Sequence, residues 1–234
     1  MERLKIINRN QLKYILIIAM IIDHIAWKFV PTGTLLGQIM HVIGRLTGPS
    51  MAILLAEGYK YTKDKKRYAK RLFIFSIISW PAYTLYEQAF WPLPMFSVMT
   101  TLFLAFIAIW MWDEANLPVG VKIVILLFIC VIALFGDWVF IDVLWAFFFH
   151  YYEGDKKKQW LSFCIIAIFE CVPFLFMGKQ NLFQLGVFLI PVLFLFYNGE
   201  SGSKKPFHKW FFYVFYPAHL LILFVIALLM GCYK

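Results

Sequence analysis

Apolar residues fill most of the chain in long runs, and short connections that contain Gly, Pro or charged residues separate these runs. Because about 20 apolar residues in a helix cross the hydrocarbon layer of a membrane, each long run is a candidate membrane helix. We predict about nine such segments, of which the sixth is the shortest and is expected to enter the membrane tilted or only in part. They cover roughly residues 12–31, 36–58, 71–88, 95–112, 118–135, 138–152, 160–177, 182–198 and 208–231.

This pattern predicts an all-α fold, a polytopic transmembrane helical bundle of about eight to ten segments. The connections, among them PTGT, FWPLP, EANLPVG and NGESGSKKP, are too short to separate domains. We therefore expect residues 1–234 to form a single integral membrane domain. Composition agrees, since 62% hydrophobic and 15% charged residues exclude an ordinary soluble domain. The first segment lacks a small-residue cleavage site, so we expect it to be a membrane helix rather than a cleaved signal peptide.

Basic residues are distributed unevenly between the two sides of the predicted bundle. If the N-terminus is cytoplasmic, most of the 22 Lys and Arg residues fall in cytoplasmic connections, and Lys28, Lys179 and Lys234 lie outside. This asymmetry is the positive-inside pattern, and with nine crossings it places the C-terminus outside. The net charge of +9 is thus explained by topology, and nucleic acid is not expected as a partner.

Several ionisable residues lie inside the predicted membrane segments. A charged group at the centre of a membrane helix costs about 2.5–3.5 kcal/mol on insertion scales, so we expect these groups to face one another or a wet cavity. Near the middle lie Asp23, His24, Arg45, Glu170 and His219; nearer the outer face His41, Glu87, Asp137 and Asp142; and nearer the inner face Glu57 and His150.

The second segment concentrates several of these signals. His41 and Arg45 are four residues apart and share a helix face. Gly44 and Gly48 form a GxxxG motif, which permits close approach of a neighbouring helix. Pro49 removes the hydrogen bond that would reach the carbonyl of Arg45. We therefore predict that the helix bends at its arginine and contributes to a polar site.

The last segment places Tyr216 and His219 on one stripe, with Pro217 between them. A hydroxyl group three residues from an imidazole can handle protons or orient a substrate. A single histidine on an apolar face is more often a packing residue, and the neighbouring tyrosine and proline favour the functional interpretation.

The sequence offers little for metal or redox chemistry. Cys130, Cys164, Cys171 and Cys232 are isolated, so we interpret them as packing residues. Asp23 and His24 are adjacent and diverge by about 100° around the helix, so no metal is expected. The segment YKYTKDKKRYAKR (59–71) is dense in basic residues, which fits contact with anionic lipids or with the phosphates of a nucleotide-like cosubstrate.

The order of motifs resembles the TraX family, membrane proteins associated with N-terminal acetylation of conjugative pilin. The resemblance rests on IDHI with Pro31, on IGR and LLAEGYKYTKD followed by RYAKRL, and on the terminal FYVFYPAHL. It covers most of the chain and is weakest over 113–205. Two positions depart from the family pattern: Asp137 and Trp138 lack the usual following glycine, and TGPSM stands where Phe-Pro is frequent.

The resemblance implies kinship with membrane-embedded acyltransferases, multi-pass proteins of the bacterial inner membrane. Acetyl-CoA, or another acyl-CoA, is then the expected cosubstrate, and the acceptor is an amine or hydroxyl of a pilin-like peptide, a glycan or a lipid. On this hypothesis the catalytic residues are His24, Asp23, His219, Arg45 and Tyr216; the cosubstrate phosphates meet Lys60, Lys63, Lys65, Lys66, Arg67, Lys70 and Arg71; and the substrate-binding residues are His41, Glu57, Asp137, Asp142 and Glu170.

Within this hypothesis either His24 or His219 can be the general base, and Asp23 or another carboxylate would tune the pKa of that histidine.

Two other classes of function remain open at this point. Midplane Asp, His and Glu residues are also typical of proton-coupled transporters of small solutes, although we find no internal repeat. A non-catalytic membrane partner of a secretion or conjugation assembly would use the polar residues only to order its helices. The oligomeric state is not indicated.

Overall fold

A computed structural model describes residues 5–88 and 95–232 of the 234-residue chain. The predicted connection FWPLP (90–94) and the terminal Lys234 lie outside the described residues. The described part contains helices α1 Arg9–Phe29, α2 Leu35–Gly44, α3 Thr47–Tyr61, α4 Lys65–Glu87, α5 Val98–Glu114, α6 Val119–Ala133, α7 Ile141–Tyr151, α8 Lys156–Phe176, α9 Ile190–Leu195 and α10 Pro206–Leu229, together with a 3₁₀ helix Lys179–Leu189. The prediction of an all-helical bundle is confirmed.

Local sequence signals explain where many of these helices begin. The side chain of Asn8 accepts a hydrogen bond from the backbone N–H of Gln11, and the side chain of Gln11 accepts one from the backbone N–H of Asn8, which forms a capping box at the start of α1. Thr34 and Asp64 cap α2 and α4 in the simpler way, each accepting a backbone hydrogen bond. Pro206 occupies the first turn of α10, where a missing N–H costs nothing.

The second predicted segment is interrupted where its arginine lies. Helix α2 ends at Gly44, Arg45 is its C-cap residue, and α3 begins at Thr47. The helix is therefore interrupted at the position where a bend was predicted, and the interruption agrees with the inability of Pro49 to donate a hydrogen bond to the Arg45 carbonyl.

The predicted segment 182–198 differs from a continuous membrane helix. Residues Lys179–Leu189 form the 3₁₀ helix, and α9 continues for six residues only. A side chain at Gly186 would lie 2.6 Å from the carbonyl oxygen of Val42, so the backbone here packs directly against α2. The segment therefore combines a 3₁₀ conformation with a close backbone contact to α2.

The structure divides into two compact units, with boundaries inside α3 and α8. Unit 1 comprises Met1–Met51 and Ala167–Lys234, and unit 2 comprises Ala52–Ile166. In unit 1, α1 packs against α2 and α10, and α2 packs against the 3₁₀ helix. In unit 2, α5 is the central helix, since it packs against α4, α6 and α7 and buries Ala105, Phe106 and Ile109 completely.

Three stretches within the described residues are long and apolar enough to cross a membrane: Leu35–Tyr61, Lys156–Phe176 and Pro206–Leu229. Large apolar side chains are exposed on many helix faces; Leu127 and Phe128 on α6 are each about three-fifths exposed. A protein in water would not leave so much apolar surface exposed, whereas lipid chains cover it at no cost. The chain is a membrane protein.

Helices α1 and α2 approach closely at Gly44, because Asp23 occupies the space that a side chain at position 44 would need. The substitution Gly44→Ala should therefore destabilise unit 1 by about 1–3 kcal/mol, the usual cost of overpacking. Thermal unfolding in detergent would measure the loss. Gly120→Ala is the matched control, since Gly120 is also helical and has open space around it. Equal melting temperatures for the two variants would contradict the close approach.

Candidate functional site

Two buried histidines meet between α1 and α10. Nδ1 of His24 and Nε2 of His219 are 3.0 Å apart, and their ring centroids are separated by 5.0 Å. The other ring nitrogen of His219, Nδ1, lies 3.1 Å from the backbone carbonyl of Phe215, one helical turn earlier. The Phe215 ring is almost parallel to that of His219, with an interplanar angle of 5°. The plane of His219 is thus fixed by a hydrogen bond and by stacking.

Tyr216 packs edge-on against His219, with ring centroids 5.5 Å apart, and its side chain is buried. Tyr216 and His219 therefore lie side by side on α10, and His219 faces α1. The two catalytic candidates of the last segment and the His24 candidate of the first segment lie together in unit 1.

Asp23 lies beside His24 in the chain, and its two carboxylate oxygens are bonded to different partners on α2. Nδ1 of His41 donates to Oδ1 at 2.7 Å, and Nη2 of Arg45 donates to Oδ2 at 3.3 Å. The ion pair between Asp23 and Arg45 is buried, with about one-tenth of each side chain exposed. An isolated charge at this depth would be costly, so the pairing is what permits both groups to be ionised.

Arg45 is also held from the 3₁₀ helix. Its Nη1 donates to Oε1 of Gln184 at 3.3 Å, and its guanidinium lies 5.3 Å from the centre of the Phe183 ring. The thiol of Cys171 on α8 donates to the backbone carbonyl of Gln184. The guanidinium is consequently fixed by a carboxylate, an amide and an aromatic face, which is a preorganised positive charge.

Three polar side chains at this site have roles that the sequence did not predict. His41 was expected to bind substrate, and the structure places it against Asp23, with its Nε2 3.5 Å from the Thr32 hydroxyl. Gln184 and Thr32 were not predicted at all. The position of Gln184 inside the apolar run 182–198 could have indicated a polar site. The sequence around Thr32 contains no comparable signal.

Glu170 lies on the part of α8 that belongs to unit 1. Among the described residues its Oε2 is a buried oxygen without a hydrogen-bond partner. The guanidinium of Arg45 is close enough to interact electrostatically with the Glu170 carboxyl group. Two acidic side chains, Asp23 and Glu170, therefore lie near one guanidinium.

The remaining substrate-binding candidates, Glu57, Asp137 and Asp142, belong to unit 2. Asp142 is completely buried in the first turn of α7. Unit 2 also contains a hydrogen bond between Nε2 of His150 and Oδ2 of Asp113 at 2.9 Å.

The basic segment 59–71 lies in unit 2, and part of its charge is compensated. Lys60 pairs with Glu153 at 2.6 Å, Lys65 with Glu114 at 2.7 Å and Arg67 with Asp64 at 3.2 Å. The hydrogen bond from Lys65 lowers the pKa of Glu114.

Three of the seven predicted phosphate-binding residues thus pair with acidic side chains. Lys63, Lys66 and Lys70 are exposed on the segment, and Arg71 lies against the ring of Tyr68.

Side chains suited to a metal ion do not gather in the part of the chain that the structure describes. No group of three or more His, Cys, Asp or Glu residues has the required proximity there. The chemistry that the unit 1 site offers is proton transfer by two imidazoles beside a fixed guanidinium.

The family model described as TraX protein matches residues 8–227. The chain is also similar to a protein of Dichelobacter nodosus named "Probable fimbrial assembly protein FimC, serogroup H1". The two are 30% identical over 232 residues, which covers 91% of this chain and 93% of that protein. No solved structure matches the chain.

The ion pair between Asp23 and Arg45 should show strong energetic coupling. Arg45→Gln leaves the Asp23 carboxylate without its cation, and loss of one partner of a buried pair typically costs about 3–5 kcal/mol. Asp23→Asn should be destabilising for the same reason. The double variant should lose clearly less than the sum of the two single losses in chemical unfolding of the purified protein. Additive losses would show that the two side chains do not stabilise each other.

Proposed function

The chain belongs to the TraX family, and on that premise we propose that it is a membrane-embedded acyltransferase. It would transfer an acetyl group from acetyl-CoA to an amine or hydroxyl of a membrane-associated acceptor. The observation that carries the proposal is the buried contact of His24 with His219, next to a guanidinium that Asp23 holds in place. Acyl transfer needs a base for the acceptor and a positive charge for the oxyanion, and this arrangement offers both.

In the proposed reaction, His24 removes the proton from the acceptor nitrogen or oxygen as that atom attacks the thioester carbonyl. Arg45 stabilises the negative charge that develops on the carbonyl oxygen, because its guanidinium is already oriented by Asp23 and Gln184. The carbon–sulfur bond then breaks, and the leaving sulfur takes the electron pair and a proton. Tyr216 shapes the wall behind His219.

The relative from Dichelobacter nodosus supports a fimbrial or pilin-like acceptor, since its name concerns fimbrial assembly. A peptide amine is therefore the acceptor that we favour over a glycan or lipid hydroxyl. The distribution of basic residues supports a multi-pass protein of the bacterial inner membrane with a cytoplasmic N-terminus. Acetyl-CoA, which is cytoplasmic, would then meet the basic segment 59–71 from that side.

The same relative also supports a second candidate function, that of a non-catalytic membrane partner in fimbrial assembly. In that case the polar groups of unit 1 would only order the helices. The two functions differ in one measurable property, which is the consumption of acetyl-CoA by the purified protein.

The purified protein should transfer label from acetyl-CoA to a pilin-like peptide or release it as CoA thiol. His24→Ala should lower this rate by about 10²–10⁴-fold, the range for loss of a general base. The control is His208→Ala, because His208 lies on the same helix as His219 and bonds to Tyr14 instead. Full turnover by the His24 variant would exclude the histidine mechanism, and no consumption by the unmodified protein would favour the non-catalytic function.

The exposed lysines of the basic segment should contribute to binding of the cosubstrate. The triple variant Lys63→Gln/Lys66→Gln/Lys70→Gln should raise KM for acetyl-CoA while kcat stays nearly unchanged, since these side chains would touch phosphates and not the reacting atoms. Lys156→Gln/Lys157→Gln/Lys158→Gln is the control with the same change in charge. An equal KM for the two triple variants would leave lipid contact as the role of the segment.

A further inference from the structure

The hydrogen bonds around the two histidines have a defined direction. The Phe215 carbonyl can only accept, so Nδ1 of His219 carries the hydrogen in that contact. A neutral imidazole carries one N–H, and Nε2 of His219 is therefore an acceptor. Nδ1 of His24 is 3.0 Å from that nitrogen and must be the donor. In the neutral pair, the basic nitrogen of His24 is consequently Nε2.

We propose that His219 is the second proton acceptor of the site, which takes the Nδ1 proton of His24 when Nε2 of His24 receives the proton of the acceptor. This inference rests on the proposed function and assigns different roles to two histidines that the sequence leaves interchangeable. His24 is the residue that meets the acceptor, and His219 acts through it.

The proton balance closes without any additional reagent. Nε2 of His24 gains the acceptor proton, and the Nδ1 proton of His24 moves to Nε2 of His219. His24 is then neutral with its hydrogen on Nε2, and His219 is an imidazolium. When the carbon–sulfur bond breaks, Nε2 of His24 gives its proton to the sulfur, and His219 returns a proton to Nδ1 of His24. Both rings end in their initial state.

The hydrogen bond to the Phe215 carbonyl is the contact that would stabilise a transient positive charge on the His219 ring. Its Nδ1–H already bonds to the Phe215 carbonyl, and this bond becomes charge-assisted when the ring is protonated. Stacking on Phe215 keeps the ring in the plane that the transfer needs. The charged and titratable groups around the pair are Asp23 and Lys28 on α1, Arg45 after α2 and Tyr216 on α10.

We call the transfer of the Nδ1 proton of His24 to His219 the relay. A role of His219 that only orients His24 predicts different kinetics from the relay. In His219→Gln, the amide oxygen can accept the hydrogen bond from Nδ1 of His24 but cannot take its proton. In His219→Ala, both properties are lost. The relay predicts that kcat falls by at least about 100-fold in both variants while KM for acetyl-CoA is kept. Restoration of kcat by glutamine to within about threefold of the unmodified protein would overturn the relay, since orientation alone would then suffice.

The tautomers can be measured independently of activity. Nitrogen-15 NMR of the histidine-labelled full-length protein in lipid nanodiscs separates the two ring nitrogens, and the His24→Ala and His219→Gln variants assign the signals. At a pH where both rings are neutral, the relay requires the hydrogen on Nδ1 in both His24 and His219. A hydrogen on Nε2 of either ring would overturn it, even if the protein transfers acetyl groups. The absence of any transfer by the unmodified protein would instead defeat the proposed function and the relay together.

Thermal unfolding distinguishes loss of the fold from loss of chemistry in these variants. His219→Gln should unfold within a few degrees of the unmodified protein, because the amide replaces the contact with His24. A glutamine variant that folds, keeps its KM and still loses kcat supports the relay. If His219→Gln lowers kcat only in proportion to the fraction of unfolded protein, the role of His219 is structural and the relay is wrong.

Discussion

The buried ion pair between Asp23 and Arg45 is the interaction on which unit 1 depends. A carboxylate in the middle of an apolar helix is costly, and it becomes acceptable only when a cation and a hydrogen-bond donor face it. Arg45 and His41 satisfy this requirement from α2. The contact in turn requires that α1 and α2 approach closely, which explains why position 44 has no side chain. It also explains why α2 stops where its arginine must turn towards α1.

The same ion pair determines which way His24 faces. Neighbouring residues on a helix differ by about 100° in direction, so a helix that turns Asp23 towards α2 turns His24 elsewhere. In this structure His24 faces α10 and meets His219. The adjacent acidic and imidazole groups therefore have different partners: Asp23 holds the guanidinium of Arg45, and His24 contacts His219.

Charge is balanced locally in both units. In unit 1 the guanidinium of Arg45 neutralises Asp23 and interacts with Glu170. In unit 2 the lysines Lys60 and Lys65 are paired with Glu153 and Glu114. The basic segment therefore carries less uncompensated charge than its sequence suggests.

The sequence by itself determined most of the helical segments and the interruption of the second one at Arg45, because hydrophobic runs and proline effects are local properties. It also placed Asp23, His24, Arg45 and His219 among the groups that were expected to face one another or a wet cavity. Only the tertiary structure decided that Asp23 bonds to His41 and Arg45, that His24 meets His219, and that Gln184 joins the site from a 3₁₀ helix. These contacts depend on how helices that are distant in sequence rotate and pack, and a local hydrophobic pattern does not contain that information.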